Sequence, residues 1–261
     1  MFSTNPFAQL SASIDPVIMQ TYVIIMILCV VVGTLFDIVH KKSAKYFFAN
    51  WRNAQEKGSR KVGGGEIVTL GVQTAVVEVA TSGEFCNPQR RAAHLLTMYG
   101  FIAYIVATVV MVFGYPTPAS SVPVIWPTLW TLGALLVCVG GYWFWFFIRV
   151  DVAAEGGSPF RLMRADLFVV SLLASVTFGL IWAFLQSTGA GGTMIFLSLY
   201  LIATTILFGG IPWSKFSHMF FKPAAALQKR VENANGSRSN IPEPADKPEI
   251  LGSARTLPRH Y

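Results

Sequence analysis

The chain has 261 residues, of which 53% are hydrophobic and only 13% charged, with a net charge of +7. A soluble domain carries about 25% charged residues, so this chain has too little polar surface to coat a water-soluble globule of its size. The mean hydropathy of +0.52 points the same way, and a lipid bilayer is the expected solvent.

In chain order, residues 1–16 read as a short polar segment ending at Pro16. Long apolar runs follow at Val17–Val39, His94–Gly114, Val124–Ile148 and Asp166–Gln186. A fifth runs from Thr193 to Pro212 and is expected to continue as helix beyond it. Each is about 20 residues or longer, the length an α-helix needs to cross roughly 30 Å of hydrocarbon. Barrel strands would instead alternate over about ten residues. The expected fold is therefore an all-α integral membrane protein, a five-helix bundle over residues 17–222. The first run lacks a basic leader and reads as a retained span rather than a cleaved signal.

Between the first two runs lies a loop, residues 40–93, containing a weaker apolar stretch, Glu66–Thr81. That stretch is short and contains Glu66 and Glu78, so it reads as an amphipathic or partner-covered surface helix rather than a span. Residues 223–261 read as a largely disordered tail, with a short helix at Ala224–Glu232 and a Ser-, Asn- and Pro-rich stretch from Asn233.

Charge placement orients the bundle. All 20 Lys and Arg residues fall in loop 40–93, in the loop between the third and fourth runs, or after the fifth run. The opposite loops, Tyr115–Pro123 and Ser187–Gly192, carry no charge, and the N-terminal segment carries only Asp15. Positive charge stays on the cytoplasmic side, so the N-terminus is expected outside and the C-terminus inside, in a bacterial inner membrane. The same cations attract anionic headgroups or dock a soluble cytoplasmic partner. No nucleic-acid motif accompanies them.

Cys29 and Cys138 lie inside spans and Cys86 in a cytoplasmic loop, a placement that indicates neither a disulfide nor a cysteine-ligated cluster. Of the four histidines, His260 is in the tail and is given no role, and His40 reads as an interfacial residue. His94 and His218 stand at the cytoplasmic ends of the second and fifth runs, at similar expected depth. Two imidazoles on neighbouring helices can ligate one haem iron. Two interfacial histidines meeting headgroups fit the residues equally well.

The segment Pro212-Trp213-Ser214-Lys215-Phe216-Ser217-His218-Met219 resembles the close of the last helix of the respiratory nitrate reductase γ subunit. Arg90-Arg91-Ala92-Ala93-His94-Leu95-Leu96 with Tyr99-Gly100-Phe101 resembles the second helix of that cytochrome b family. The family also includes the membrane subunits of quinone-interacting oxidoreductase complexes. Within it, the reduced form that fits best is the membrane anchor of adenylylsulfate reductase. The resemblance implies a b-type haem held by His94 and His218. The positions where the family carries a second histidine pair are Tyr104 and Tyr200 here. They imply a vacated second-haem region in which the tyrosines pack together or line a quinone pocket.

The implied function is an electron-transfer anchor linking a cytoplasmic flavin and iron–sulfur oxidoreductase, serving sulfite oxidation, to membrane quinone. A haem-free scaffold tethering a soluble enzyme and, last, a small transporter are the alternatives. Asp37 and Asp166 read as boundary residues paired with nearby cations, or else as proton acceptors. Gly140-Gly141 followed by aromatic residues reads as a helix-packing surface or a haem edge. Pro212 is expected to kink the fifth run and re-aim His218.

Overall fold

The computed structural model describes residues 2–83, 85, 87–149, 152, 155–213 and 218–238; the side chains of Trp213 and His218, and all remaining residues, lie outside the description. The described residues form helices and no strand. The helices are α1 (Pro6–Leu10), α2 (Pro16–His40), α3 (Ser43–Glu56), α4 (Gly64–Gln73), α5 (Pro88–Gly114), α6 (Ile125–Trp143), α7 (Leu167–Thr188), α8 (Thr193–Gly209) and α9 (His218–Asn235). They belong to two compact units. The first takes the chain up to Phe36 and Ala92–Phe216, and the second takes Asp37–Arg91 and the residues from Ser217 on.

Four stretches are long and apolar enough to cross a membrane: Pro16–His40, Pro88–Gly114, Ile125–Ile148 and Arg164–Thr188. At most 44% of the residues in any of their apolar windows are buried within the protein. Val17, Ile18, Leu28 and Val32 on α2, Val139 on α6, and Ile195 and Ile202 on α8 all stand exposed. Helices that are apolar all round and yet uncovered require a hydrocarbon solvent.

The fifth apolar run forms a shorter helix than expected. α8 has 17 residues, shorter than the other four, and ends at Gly209. A single 3₁₀ turn at Ile211–Trp213 follows, so Pro212 terminates this element instead of kinking a continuing helix. The helix that starts at His218 belongs to the other unit.

In the first unit, α7 packs extensively against α8, and α6 lies against α7. Gly189 (φ +67°) and Gly192 (φ +86°) shape the turn between α7 and α8, using left-handed backbone that other residues rarely adopt. The residues at the start of the chain are not a mere lead-in. Asn5 caps α1 by accepting from the Phe7 and Ala8 amides, and it donates to the carbonyls of Met111 and Tyr115. Phe7 is buried, with its ring centroid 5.9 Å from that of Trp130 and 5.3 Å from that of Trp182.

Helices α5 and α6 approach closely because small residues face each other. A Cβ on Gly100 would stand 2.7 Å from the Gly133 carbonyl oxygen, and one on Gly133 would stand 2.6 Å from the Gly100 oxygen. One heptad on, a Cβ on Gly140 would stand 2.6 Å from the Ala93 oxygen. Gly141 meets Leu173 of α7 in the same way. The Gly140-Gly141 pair is thus a packing surface, which in hydrocarbon brings helices together through van der Waals contact.

The aromatic run after α6 is a π-turn, Phe144–Ile148, closed by the Arg149 amide donating to the Phe144 carbonyl. Arg149 is 4% exposed. Its guanidinium donates to Asp166 Oδ2 at 2.9 Å and to the Arg161 carbonyl at 2.9 Å, and lies 4.2 Å over the Trp145 ring. Asp166 Oδ2 also accepts from the Met163 amide. Asp166 is therefore half of a buried ion pair at the foot of α7, and Asp37 pairs with Lys41 one turn along α2. Both match the boundary-pair reading.

In the second unit, the Glu66–Thr81 stretch is helical: α4 continues into a π-turn over Thr74–Ala80. α9 packs against α3, α4 and the π-turn, but Val68, Val72 and Val76 remain exposed. α9 is also far longer than the expected Ala224–Glu232 helix. Arg230 pairs with Glu78 at 2.8 Å. Asn235, fully buried at the end of α9, donates to the Ala54 carbonyl, and its own carbonyl accepts from the Ser59 amide at 2.8 Å. These long-range bonds could not be read from tail composition. Residues 239–261, with His260, lie outside the described residues, as does Cys86.

At the start of α4, Arg60 makes two hydrogen bonds to Glu66, which hold the Glu66 carboxyl below the usual glutamate range. A depressed folded-state value means that the pair's contribution is present above the ordinary glutamate pKa. It is lost as pH falls through the lowered one. An NMR titration of the Glu66 carboxyl should give a midpoint below that of a free glutamate, returning to the ordinary value in Arg60→Gln. An ordinary midpoint in the unaltered protein would refute the pairing.

Candidate functional site

The first unit holds a partly open cavity of about 110 Å³ between α2, α5, α7 and α8. Its walls are apolar, with Met19, Met26, Phe101, Leu172, Leu207 and Phe208 among them. Its polar lining consists of hydroxyl groups from Tyr22, Tyr104, Thr108, Ser175, Tyr200 and Thr204. Among the described residues, no charged side chain lines it. Helical periodicity explains the grouping: Tyr104 and Thr108 are one turn apart on α5, as are Tyr200 and Thr204 on α8, so each pair shares a face.

Most of these hydroxyls are already satisfied. Thr108 donates to the Tyr104 carbonyl and accepts from the Trp130 indole. Thr204 donates to the Tyr200 carbonyl and bonds Ser175 at 2.7 Å, joining α7 to α8. Tyr22 donates to the Leu201 carbonyl, tying α2 to α8. The Tyr104 hydroxyl differs: it is buried and makes no hydrogen bond of good geometry, with the Tyr200 side chain as its polar neighbour. A buried phenol O–H without a good hydrogen bond costs about 1–3 kcal/mol, so it is a natural anchor for a ligand acceptor.

Tyr104 and Tyr200 are brought together. A Cβ on Gly179 of α7 would stand 3.0 Å from the Tyr104 hydroxyl and 3.3 Å from the Tyr200 ring, so both side chains close over the same glycine. Tyr200 stacks on Trp182 with centroids 5.7 Å apart and planes at 10°, and Tyr104 lies 5.1 Å from Trp130. Sequence reasoning missed Phe7, Tyr22, Ser175 and Thr204. Ser175 and Thr204 carried a usable signal as hydroxyls in the middle of apolar runs, whereas Phe7 and Tyr22 carried none.

The histidine pair fares differently. His94 sits in the second turn of α5, which begins at Pro88, and so does not open the helix. It belongs to the first unit. His218 opens α9 in the second unit, and its side chain lies outside the described residues. The expected pairing of His94 with His218 therefore falls outside what the described residues show. Among the described residues there is also no cluster of three or more His, Cys, Asp or Glu side chains able to hold a metal ion.

The fold defines a class first: an all-helical protein with four helices long and apolar enough to cross a membrane, consistent with a multi-pass membrane protein. Within that class, the chain belongs to the Citrate utilization protein B family, which it matches over residues 25–239. It is 29% identical over 175 residues to the Citrate utilization protein B of Escherichia coli. That alignment covers 61% of this chain and 44% of the relative, so the chain spans less than half of the relative's length. No solved structure matches it.

The family membership overturns the resemblance to the nitrate reductase γ subunit and related cytochrome b anchors. With it goes the role as a haem-linked anchor of adenylylsulfate reductase in sulfur metabolism, and a haem b at His94 and His218 loses the resemblance that implied it. The physical reason is plain. Both motifs were short and lay at the ends of apolar helices, where histidine, arginine and tryptophan gather at the headgroup boundary of many unrelated membrane proteins.

Proposed function

We propose that this chain is a membrane-embedded component of citrate utilisation that holds an uncharged, lipid-soluble ligand and is not itself the path for citrate. The observation that carries the reading is the uncharged cavity. Citrate brings up to three carboxylates, and burying them without cationic partners costs many kcal/mol. The cavity's lining of apolar side chains and neutral hydroxyls supplies no such partner, but it suits a flat ring bearing one acceptor. An apolar cavity of ~150 Å³ accepts benzene, so about 110 Å³ here takes at most part of a single ring, whose substituents would extend through the cavity's open side. A quinone ring, the ligand expected near Tyr104 and Tyr200, places a carbonyl where the Tyr104 hydroxyl can donate.

The reading includes five membrane crossings with the N-terminus outside a bacterial inner membrane. α8 at 17 residues is at the lower limit for a span, and the distribution of Lys and Arg supports the orientation. The second unit then lies in the cytoplasm, where its basic surface is open to a soluble partner. The flavin and iron–sulfur identity expected for that partner rested on the overturned family and is not carried forward.

Cells lacking the chain should fail to grow on citrate while still taking up labelled citrate, and proteoliposomes of the purified protein should show no citrate flux. Duroquinone, a neutral single-ring probe, should bind the purified protein. Tyr104→Phe should weaken that binding about tenfold, the worth of one neutral hydrogen bond. Citrate flux through the purified protein would overturn the reading, as would duroquinone binding untouched by Tyr104→Phe.

A further inference from the structure

Helix α3 begins only two residues after α2, a helix of membrane-spanning length. Lys42, in a left-handed conformation at φ 55°, makes the break between them. Two extended residues reach about 7 Å, so wherever α2 leaves the hydrocarbon, the first turn of α3 stands at headgroup depth. Its sequence suits that depth. Lys45, Phe48 and Arg52 recur at helical spacing on one exposed face, and Tyr46 is exposed beside them. Phe48 is 63% exposed and Tyr46 62%. Phe47 packs edge-on against Phe48 and lies 5.9 Å from Trp51, so the helix carries a continuous aromatic cluster next to its cations.

The charge balance on this segment is one-sided. Lys41 is paired with Asp37, but Lys42, Lys45 and Arg52 form no ion pair among the described residues, and Glu56 in the last turn is the only acid on α3. Exposed rings prefer the boundary between headgroups and acyl chains, and each exposed cation there gains from anionic lipid. We propose that α3 is an interfacial helix lying along the membrane surface, with Lys45 and Arg52 binding the phosphates of anionic phospholipids and Phe48 inserted beside them. The chosen occupant is lipid and not a docked protein. The helix is tied within two residues to a span, and its exposed face alternates cations with rings, the pattern of membrane-surface helices.

The test uses the full chain in lipid nanodiscs of phosphatidylcholine alone or of phosphatidylcholine with a quarter phosphatidylglycerol. Hydrogen exchange of peptides covering residues 43–56 should be at least threefold slower in the anionic discs, and 0.5 M salt should erase the difference. Native mass spectrometry should show phosphatidylglycerol retained over phosphatidylcholine. In Lys45→Gln/Arg52→Gln that retention should fall about thirtyfold, as expected for two charges near the surface, and it should persist in Lys45→Arg. Should the double variant misfold, the two-lipid comparison on the unaltered chain decides by itself. Equal exchange in both discs would overturn the proposal, whether α3 is equally protected or equally open. So would the absence of phosphatidylglycerol retention.

Discussion

Asp166→Ala is expected to cost about 3–5 kcal/mol of stability, because it leaves the Arg149 guanidinium buried without its counter-charge. Arg149 is 4% exposed and lies where the π-turn closing α6 meets the 3₁₀ turn that starts α7. Its bonds to Asp166 and to the Arg161 carbonyl join the two ends of the connecting segment. Arg149→Met should be milder, since it removes the buried charge and leaves the Asp166 carboxylate still accepting from the Met163 amide. The double variant Arg149→Met/Asp166→Leu should recover much of the loss, as apolar replacement of a buried pair generally does. Unfolding in mixed micelles, followed by tryptophan fluorescence, reads all three. Asp166→Ala within about 1 kcal/mol of the unaltered protein would mean that water or lipid phosphate reaches Arg149 freely.

The second large effect is steric. Gly133→Leu should prevent α5 and α6 from closing. Even Gly133→Ala should cost about 1–3 kcal/mol, since the added methyl would meet the Gly100 carbonyl oxygen at 2.6 Å and the Tyr104 backbone nitrogen at 2.8 Å. Backbone atoms cannot swing aside as a side chain can, so the helices must separate. Separation also moves Tyr104, and duroquinone binding should fall together with stability. Gly114→Ala is the control: nothing stands within 4 Å of its Cβ position, and its stability should stay within about 0.5 kcal/mol of the unaltered chain. A Gly133→Ala protein as stable as that control would show that the crossing is looser than described.

Several features of this chain were legible before any fold was known. The apolar runs at Val17–Val39 and Val124–Ile148 coincide within a residue or two with observed helical stretches. Asp166 and Asp37 are paired as boundary acids should be. Tyr104 and Tyr200, singled out together, do meet at one cavity. What failed were inferences that needed a partner not visible locally. The short helix expected at Ala224–Glu232 is the longer α9, held by Glu78, Ala54 and Ser59, all more than 150 residues away in sequence. The family assignment failed for a related reason, since it relied on two short stretches at helix ends.

Hydrophobicity adds up residue by residue along a chain, and transfer into a bilayer depends on that local sum. This is why the sequence alone determined that the chain is helical, membrane-seeking and basic on defined segments. Packing is not a local sum. Which glycine meets which carbonyl, which hydroxyl is left without a good hydrogen bond, and where a cavity remains all depend on helices distant in sequence arriving at the same place. The close α5–α6 crossing, the Arg149–Asp166 lock and the tyrosine-lined cavity were therefore decided only by the tertiary structure.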